Sequence, residues 1–213
     1  MKFKGVIFDL DGVICSTDEY HYMAWKALAE KLGITTFTRE DNKRQRGVSR
    51  MESLEVVLEK CDKKFTDEEK LALADEKNEI YKKMLVNMSP ADLSEEVKTT
   101  LDKLRAGGLK LAIGSSSKNT PAILSRLGLG GYFDAVADGN CITHSKPHPE
   151  VFLKAAEMLS LEPSVCLVVE DAAAGAQAGH AGGFKVAGIG EAAKSGYTTY
   201  PISTFSDLLK VAL

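Results

Sequence analysis

The sequence lacks long apolar runs and any strong excess of charge of one sign. Its 213 residues carry 27 Lys and Arg against 30 Asp and Glu, a net charge of −3. A charge so nearly balanced argues against a nucleic-acid partner and against binding to a membrane surface. The first apolar run is broken by Asp9 before it reaches the length of a secretory signal, and no later run is long enough to span a bilayer. We therefore expect a cytoplasmic protein.

Cysteine is sparse, and its spacing argues against a disulfide framework and a zinc site. None of the four forms a CxxC pair: Cys15, Cys61, Cys141 and Cys166. This pattern predicts free thiols in a reducing compartment. Internal repeats and low-complexity segments are also missing. The length fits one large domain or a core with a smaller second domain, and nothing in the sequence requires more than a monomer.

What the sequence does contain is an alternation of apolar strands and helical segments. The run Gly5–Phe8 is short and fully apolar after its glycine, as in a buried parallel strand. From about residue 89 onward, we predict strands at 109–114, 133–137, 165–169 and 184–189, separated by helices. This order predicts an α/β fold, a Rossmann-like parallel sheet with helices on both faces.

Between the first two predicted strands, the apolar pattern is helical instead. One apolar face recurs at spacings of four, three and four: His21, Trp25, Leu28 and Leu32. A later helix is expected to begin after Thr66, with acidic residues in its first turn. We therefore predict an inserted α-helical cap domain at 17–88. The core domain would consist of 1–16 and 89–213.

Two carboxylates, Asp9 and Asp11, stand at the end of the first strand. Residues i and i+2 of an extended chain point the same way, so these side chains should converge. They would repel each other unless a cation holds them, and hard oxygen ligands favour Mg²⁺. The alternative is an acidic turn without function.

Three further polar motifs follow predicted strands. The segment Ser115–Asn119 joins a strand to a helix and could bind phosphate or merely cap the helix. Lys146 could neutralise a phosphoryl group or be a solvated loop residue, and the sequence does not decide whether its bond to Pro147 is cis. Glu170 and Asp171 follow the fourth strand. Together the four motifs predict Mg²⁺-assisted phosphoryl transfer at the carboxyl edge of the sheet.

The order of these motifs, D-x-D-G, then Ser, then Lys, then E-D, resembles the haloacid dehalogenase superfamily of phosphotransferases over essentially the whole chain. Four segments narrow the resemblance to its β-phosphoglucomutase branch: "EYHYMAWKALAEKLGI", "RGVSR", "SPAD" and "SSSKN". The resemblance implies interconversion of β-D-glucose 1-phosphate and glucose 6-phosphate through a bisphosphate. A small sugar phosphate would be the only partner.

The resemblance also implies residue roles. Asp9 would be the nucleophile that forms an aspartyl-phosphate, and Asp11 the general acid/base, with His21 beside it. Ser115 and Lys146 would bind the transferring phosphoryl group. Thr17 would mark the hinge of the cap, and Mg²⁺ would be the cofactor. Its implied ligands are Asp9, the backbone carbonyl of Asp11, Glu170 and Asp171.

The distal phosphate and the sugar would be bound from both domains. On the cap, the implied residues are Trp25, Arg46, Gly47, Val48, Ser49, Arg50 and Ser53. On the core, they are Ser116, Ser117, Lys118 and Asn119. Trp25 could equally be a packing residue. Arg50 has the bidentate fork suited to gripping whichever phosphate is not reacting.

The chain departs from the family pattern in places without losing a catalytic position. Ser16 stands at a position where an Asp is common in the family, and Arg46 stands where a Lys is common. His144 and His148 replace small residues, and we expect both to be neutral surface changes. Two other functions remain open: a sugar-phosphate phosphatase of the same superfamily, and a non-catalytic phosphosugar-binding protein.

Overall fold

A computed structural model describes residues 3–213, and within this range the chain forms one parallel six-stranded sheet. The strand order is β3-β2-β1-β4-β5-β6, and every neighbouring pair is parallel. The strands are β1 (Gly5–Phe8), β2 (Lys110–Gly114), β3 (Ala135–Ala137), β4 (Cys166–Glu170), β5 (Lys185–Gly188) and β6 (Tyr200–Pro201). The predicted α/β class with a parallel sheet is confirmed.

Helices lie in the connections between strands, above all in the long connection after β1, and one helix follows β6. They are α1 (Asp18–Lys31), α2 (Arg39–Lys43), α3 (Arg50–Leu58), α4 (Asp67–Leu85), α5 (Glu95–Ala106), α6 (Thr120–Arg126), α7 (Glu150–Leu159), α8 (Ala173–Ala181) and α9 (Leu208–Ala212). Short 3₁₀ turns occur at Pro90–Asp92, Pro163–Val165, Ala192–Lys194 and Phe205–Asp207. In residues 3–213, no helix combines the length and apolar character needed to cross a membrane.

Helices cover both faces of the sheet, and successive side chains along each strand point to opposite faces. Phe8 and Leu111 face a cluster that includes Leu101 of α5. Ile7 and Val168 face the opposite cluster, which contains apolar residues of α7 and α8. Strands buried on both faces must be apolar throughout, which is why they read as continuous runs in the sequence.

Helices α1 to α4, called the helical block below, have a hydrophobic cluster of their own. Trp25, Leu28, Leu54 and Ala74 belong to this cluster, which joins α1, α3 and α4. The C-terminal part of α4 packs differently, since Tyr81 and Leu85 join the large cluster on the sheet. The domain limits at 17 and 88 stay a prediction.

Some boundaries differ from those expected, and each difference has a local cause. The strand predicted at 133–137 begins only at Ala135, because the Asp134 carboxylate accepts the backbone N–H of Leu111 at 2.7 Å. Helix α2 was not predicted, because it is short and shows no apolar periodicity. A capping box between Thr38 and Asp41 stabilises it instead. The predicted Thr66 cap of α4 is confirmed.

Candidate active site

The predicted polar motifs meet at the carboxyl edge of the sheet. Asp9 follows β1 and donates its backbone N–H to Val169 of β4 at 2.9 Å. Ser115 follows β2, and Glu170 is the last residue of β4. Since β1 pairs with both β2 and β4, the three ends are neighbours. Strand order alone therefore gathers these side chains at one site.

Lys146 lies at the centre of this edge, only 1% exposed. Its Nζ donates to Oδ1 of Asp9 and to Oε1 of Glu170, at 2.5 Å each. Burial by itself lowers the pKa of the ammonium, but the two carboxylates outweigh it and raise the pKa above its usual value. Lys146 is thus a buried charged residue of the site rather than a solvated loop lysine. Its peptide bond to Pro147 is cis.

Three carboxylates cluster beside Lys146. Oxygens of Asp9, Glu170 and Asp171 lie within 4.8 Å of one another. Burial raises the pKa of Glu170 to about 7, with Asp9 adding to the shift and Lys146 opposing it. Burial and the repulsion of Glu170 and Asp9 raise the pKa of Asp171 to about 8. Carboxylates that resist ionisation in this way favour a bound cation.

Two glycines allow this cluster to form. Gly12 has φ +85°, and a Cβ there would lie 2.1 Å from Oδ2 of Asp171. A Cβ on Gly175 of α8 would lie 1.8 Å from Oε1 of Glu170. The small residues after Asp171 therefore have two effects. They let the backbone of α8 lie close to the Glu170 carboxylate, and they let α8 pack on the sheet.

Asp11 is held apart from that cluster. Its carboxylate accepts a hydrogen bond from the hydroxyl of Thr17, which for this reason leaves the N-terminus of α1 without a side-chain cap. Burial raises the pKa of Asp11 to about 6, while Thr17 lowers it and Asp9 raises it further. A carboxyl that titrates near neutral pH suits a group that alternately gives and accepts a proton.

Opposite the carboxylates, the helical block presents the buried Lys77 and the partly buried His21. Nζ of Lys77 lies 2.8 Å from Nδ1 of His21 and 4.5 Å from the ring centre of Trp25. Burial, then Arg50, lowers the pKa of Lys77 to about 7. Burial, then Lys77 and Arg50, lowers the pKa of His21 well below its usual value, so its ring is neutral and can accept a hydrogen bond from Lys77.

Two predicted arginines of the helical block have different surroundings. Arg46 is engaged by Asp18, through contacts of 3.1 and 3.2 Å from Nη2 and Nε. Within residues 3–213, Arg50 makes a single ion pair, of 3.3 Å to the exposed Asp75, and its guanidinium is partly buried. Arg50 is thus the more available of the two for a ligand.

The loop after β2 is ordered by its own hydroxyls. Ser115 Oγ accepts the N–H of Ser117, and Ser117 Oγ accepts the N–H of Asn119, each at 3.2 Å. Asn119 also donates to Oδ1 of Asn78 at 2.9 Å, which ties this loop to the helical block. Among the described residues, Ser116 Oγ is buried without a hydrogen-bond partner.

A cavity of about 1090 Å³ lies between the sheet edge and the helical block, and every residue predicted for the site lines it. On the sheet side these are Asp9, Asp11, Ser115, Ser116, Ser117, Lys118, Asn119, Lys146, Glu170 and Asp171. From the hinge and block they are Thr17, His21, Trp25, Arg46, Gly47, Val48, Ser49, Arg50 and Ser53. Trp25 combines both expectations, since it lines the cavity and is also packed within the cluster of α1, α3 and α4.

Sequence reasoning missed several polar residues of the cavity. Lys77 and Asn78 line it, as do Asp18, Asn42 and Gln45. Apolar periodicity does not mark the first two, because only the structure shows that they stand on the buried face of α4, together with Ala74 and Tyr81. A lysine on a buried helical face is rare without a partner or a function.

Comparisons with known proteins place this geometry in a family. Residues 3–183 match the model of the haloacid dehalogenase-like hydrolases. The chain is 41% identical over 190 residues to a β-phosphoglucomutase of Bacillus subtilis, covering 88% of this chain and 84% of that protein. It is 31% identical over 185 residues to fructose-1-phosphate phosphatase YqaB of Escherichia coli, covering 85% and 94%.

Solved structures agree with the fold. The crystal structure of a β-phosphoglucomutase from Clostridium difficile superposes with a TM-score of 0.89 at 36% identity, over 97% of this chain and 93% of that one. The relatives thus include both mutases and phosphatases of phosphorylated sugars. The chain is accordingly an enzyme.

Proposed function

Since the chain belongs to the haloacid dehalogenase-like hydrolase family, we propose that it is a Mg²⁺-dependent mutase that interconverts β-D-glucose 1-phosphate and glucose 6-phosphate. One observation carries this proposal: Lys77, which is buried, and Arg50, which is partly buried, belong to the helical block and line the same cavity as the carboxylates of the sheet edge. A phosphatase needs one phosphate site. A mutase that handles a bisphosphate needs a second, at the other end of the sugar.

Asp9 is the proposed nucleophile. In its phosphorylated form, it transfers the phosphoryl group to the 6-hydroxyl of β-glucose 1-phosphate: the new P–O bond forms, the Asp9–P bond breaks, and Asp11 accepts the hydroxyl proton. The bisphosphate then turns round. Asp9 attacks the phosphorus at position 1, the C1 oxygen leaves, and Asp11 returns the proton to it. Glucose 6-phosphate is the product, and Asp9 is phosphorylated again.

The environment of each carboxylate suits its proposed part. Lys146 neutralises Asp9 at 2.5 Å and would also attract the incoming phosphoryl group. Asp11 is instead hydrogen-bonded to Thr17, and its pKa of about 6 lets it carry a proton near neutral pH. Two carboxylates with different surroundings can thus act as nucleophile and proton carrier.

The cluster of Asp9, Glu170 and Asp171 fits Mg²⁺. Its donors are all carboxylate oxygens within 4.8 Å of one another, and the three carboxylates, once ionised, sum with the single ammonium of Lys146 to a charge of −2. Hard oxygen ligands of this charge favour Mg²⁺ over softer metals. The backbone carbonyl of Asp11 is proposed as a further ligand. When bound, Mg²⁺ would stabilise negative charge on the transferring phosphoryl group.

Arg50 and the loop Ser115–Asn119 are proposed to bind the phosphate that is not reacting. Arg50 is partly buried and only loosely paired with Asp75, so its guanidinium can turn toward a ligand. In this proposal residues 17–88 act as a cap over a core of 1–16 and 89–213. Since one chain supplies every group, a monomer suffices.

A sugar-phosphate phosphatase is the second candidate. The 31% identity with a fructose-1-phosphate phosphatase supports it. It would use Asp9 and the same cation site, but water would attack the aspartyl-phosphate. A substrate panel separates the two: β-glucose 1-phosphate, its α anomer and fructose 1-phosphate, each with Mg²⁺ and trace glucose 1,6-bisphosphate.

The proposal expects glucose 6-phosphate from the β anomer alone, detected by a coupled dehydrogenase assay. Equal release of inorganic phosphate from all three compounds would contradict it. Replacing Asp9 by Asn should abolish both turnover and trapping of the aspartyl group as a beryllium fluoride complex. This outcome would hold for either enzyme and would exclude a non-catalytic binding protein.

A further inference from the structure

Two exposed histidines flank Lys146 at equal distance in the chain. His144 lies two residues before it, and His148 lies two residues after it. Glu150, the first residue of α7, completes the group. The proposed reaction uses none of these three side chains. In the sequence the two histidines look like neutral surface changes, but the fold brings both to one carboxylate.

The three side chains face one another at the distances of a metal-ligand set. Nδ1 of His144 lies 3.0 Å from Oε2 of Glu150, and Nδ1 of His148 lies 4.0 Å from the same oxygen. All three ligand atoms lie within 4.8 Å of one another. Tetrahedral bonds of ~2.0–2.2 Å place two donor atoms roughly 3.3–3.6 Å apart, which lies between the two separations of 3.0 and 4.0 Å found here.

The carboxylate of Glu150 is already held in position. Its Oε1 accepts the backbone N–H of Thr143 at 2.9 Å, and its Oε2 accepts that of His144 at 2.8 Å. Hydrogen bonds of this kind orient metal-binding carboxylates. The two imidazoles are 4.7 Å apart between ring centres and reach solvent, so an arriving ion has open access.

We propose that His144, His148 and Glu150 bind a divalent transition-metal ion of the Zn²⁺ class. Two imidazole nitrogens with one carboxylate suit Zn²⁺, Ni²⁺ or Cu²⁺, and they discriminate against Mg²⁺, which prefers oxygen ligands only. The all-oxygen cluster of Asp9, Glu170 and Asp171 has the opposite preference. The chain thus carries two cation sites of different chemistry. The site of His144, His148 and Glu150 is not part of the proposed function.

The position of the site gives it a local consequence. A single ion bound to both histidines and to Glu150 would link the residues on either side of Lys146 to the start of α7. The whole segment, including both histidines, lines the central cavity. Binding should therefore restrain the loop that carries Lys146, whatever reaction the enzyme catalyses.

The test measures metal binding, with excess Mg²⁺ present to occupy the oxygen cluster. Zn²⁺ is titrated against a chromophoric chelator for the unmodified chain and for His144→Ala, His148→Ala and His180→Ala. His180 is the matched control, since it is a surface histidine of α8 outside this group. We expect one Zn²⁺ per chain at micromolar concentration or below. Each of the first two variants should weaken binding at least tenfold, and His180→Ala should leave it unchanged.

A second measurement identifies the ligands. The electron paramagnetic resonance spectrum of bound Cu²⁺ should show coupling to two imidazole nitrogens, and this coupling should vanish in the double variant H144A/H148A. Zn²⁺ should also slow hydrogen exchange of the amides from Thr143 to His148. Unchanged Zn²⁺ affinity in both single variants, or nitrogen coupling that survives in the double variant, would overturn the proposal.

Discussion

Lys77 lies in surroundings that disfavour its positive charge. It is 2% exposed, touches the neutral ring of His21, and lies near the guanidinium of Arg50. An ammonium in this position costs stability that a surface lysine would not. Such a cost at a buried position favours a functional role, because a basic group facing the cavity can attract a phosphate.

We expect Lys77→Met to change how stability depends on pH. The pKa of Lys77 falls from 10.5 to about 7 on folding. Between these values the unfolded chain holds a proton on Lys77 that the folded chain lacks, so the contribution of Lys77 to the free energy of unfolding rises with pH, by at most ~1.4 kcal/mol per unit. Below pH 7 both states are protonated and the slope vanishes. Replacing Lys77 by Met removes the slope.

Urea denaturation from pH 6 to pH 9 would measure this effect. The variant should be more stable than the unmodified chain at pH 6 to 7, and its advantage should shrink as pH rises. Lys83→Met, on the exposed side of the same helix, is the matched control. Parallel pH curves for the unmodified chain and Lys77→Met would contradict a depressed pKa.

Asp11→Asn should lower turnover by about 10²–10⁴-fold, since an amide cannot carry the proton of a sugar hydroxyl. Mg²⁺ affinity should change little, because the Asp11 carboxylate is directed at Thr17 and not at the cluster of Asp9, Glu170 and Asp171. Coupled assay and calorimetric Mg²⁺ titration give the two readouts. Turnover within threefold of the unmodified enzyme would refute the proton-carrier role.

At the scale of elements, the packing of α8 against β4 fixes the position of Glu170 in the proposed cation site. Gly175 permits it, since a Cβ there would overlap Oε1 of Glu170. That oxygen cannot easily move away, because it accepts a hydrogen bond from Lys146 while Oε2 accepts the N–H of Ala172. The glycine thus couples the stability of a helix to the position of a proposed metal ligand.

Gly175→Ala should destabilise the protein by about 1–3 kcal/mol and weaken Mg²⁺ binding. Alanine favours a helix over glycine by ~1 kcal/mol, so overlap with Glu170 must outweigh that gain for the sign to be negative. Thermal unfolding and Mg²⁺ titration measure both effects. Gly196→Ala, where a Cβ meets nothing within 4 Å, is the control. A stabilised variant with normal Mg²⁺ affinity would show that Glu170 is free to move.

The elements also show what the sequence could predict. Strands such as β1 were foreseeable because burial on both faces demands an unbroken apolar run. The buried face of α4 could not be predicted from the sequence, because the apolar Leu71 is 54% exposed whereas the charged Lys77 is buried. Helix periodicity assigns apolar residues to the interior. It fails at α4 because this helix faces a polar cavity and a sheet at once.

The sequence predicts those residues of the site that directly follow strands, and it predicts the other contacts of the site less well. Asp9, Ser115 and Glu170 converge because parallel strands end at one edge. The contact between Asn78 and Asn119 depends on how the helical block lies against the sheet, which no local pattern encodes. The link between His144, His148 and Glu150 depends likewise on the path of a loop.

At the scale of the whole molecule, the helical block is proposed to decide the phosphoryl acceptor. Arg50→Ala should lower mutase turnover at least tenfold more than it lowers hydrolysis of a small aryl phosphate. The aryl phosphate has no second phosphate for Arg50 to hold, so its reaction depends on the sheet edge alone. Steady-state kinetics with both substrates gives the comparison. Equal losses would mean that Arg50 is structural.

The central claim is that a sugar hydroxyl, rather than water, receives the phosphoryl group from Asp9. Phosphorus NMR can follow β-glucose 1-phosphate, glucose 6-phosphate and inorganic phosphate in one sample with Mg²⁺ and trace bisphosphate. We predict that glucose 6-phosphate accumulates with at most a few per cent of inorganic phosphate. Release of one inorganic phosphate for each β-glucose 1-phosphate consumed, with little glucose 6-phosphate, would contradict the claim and identify a phosphatase.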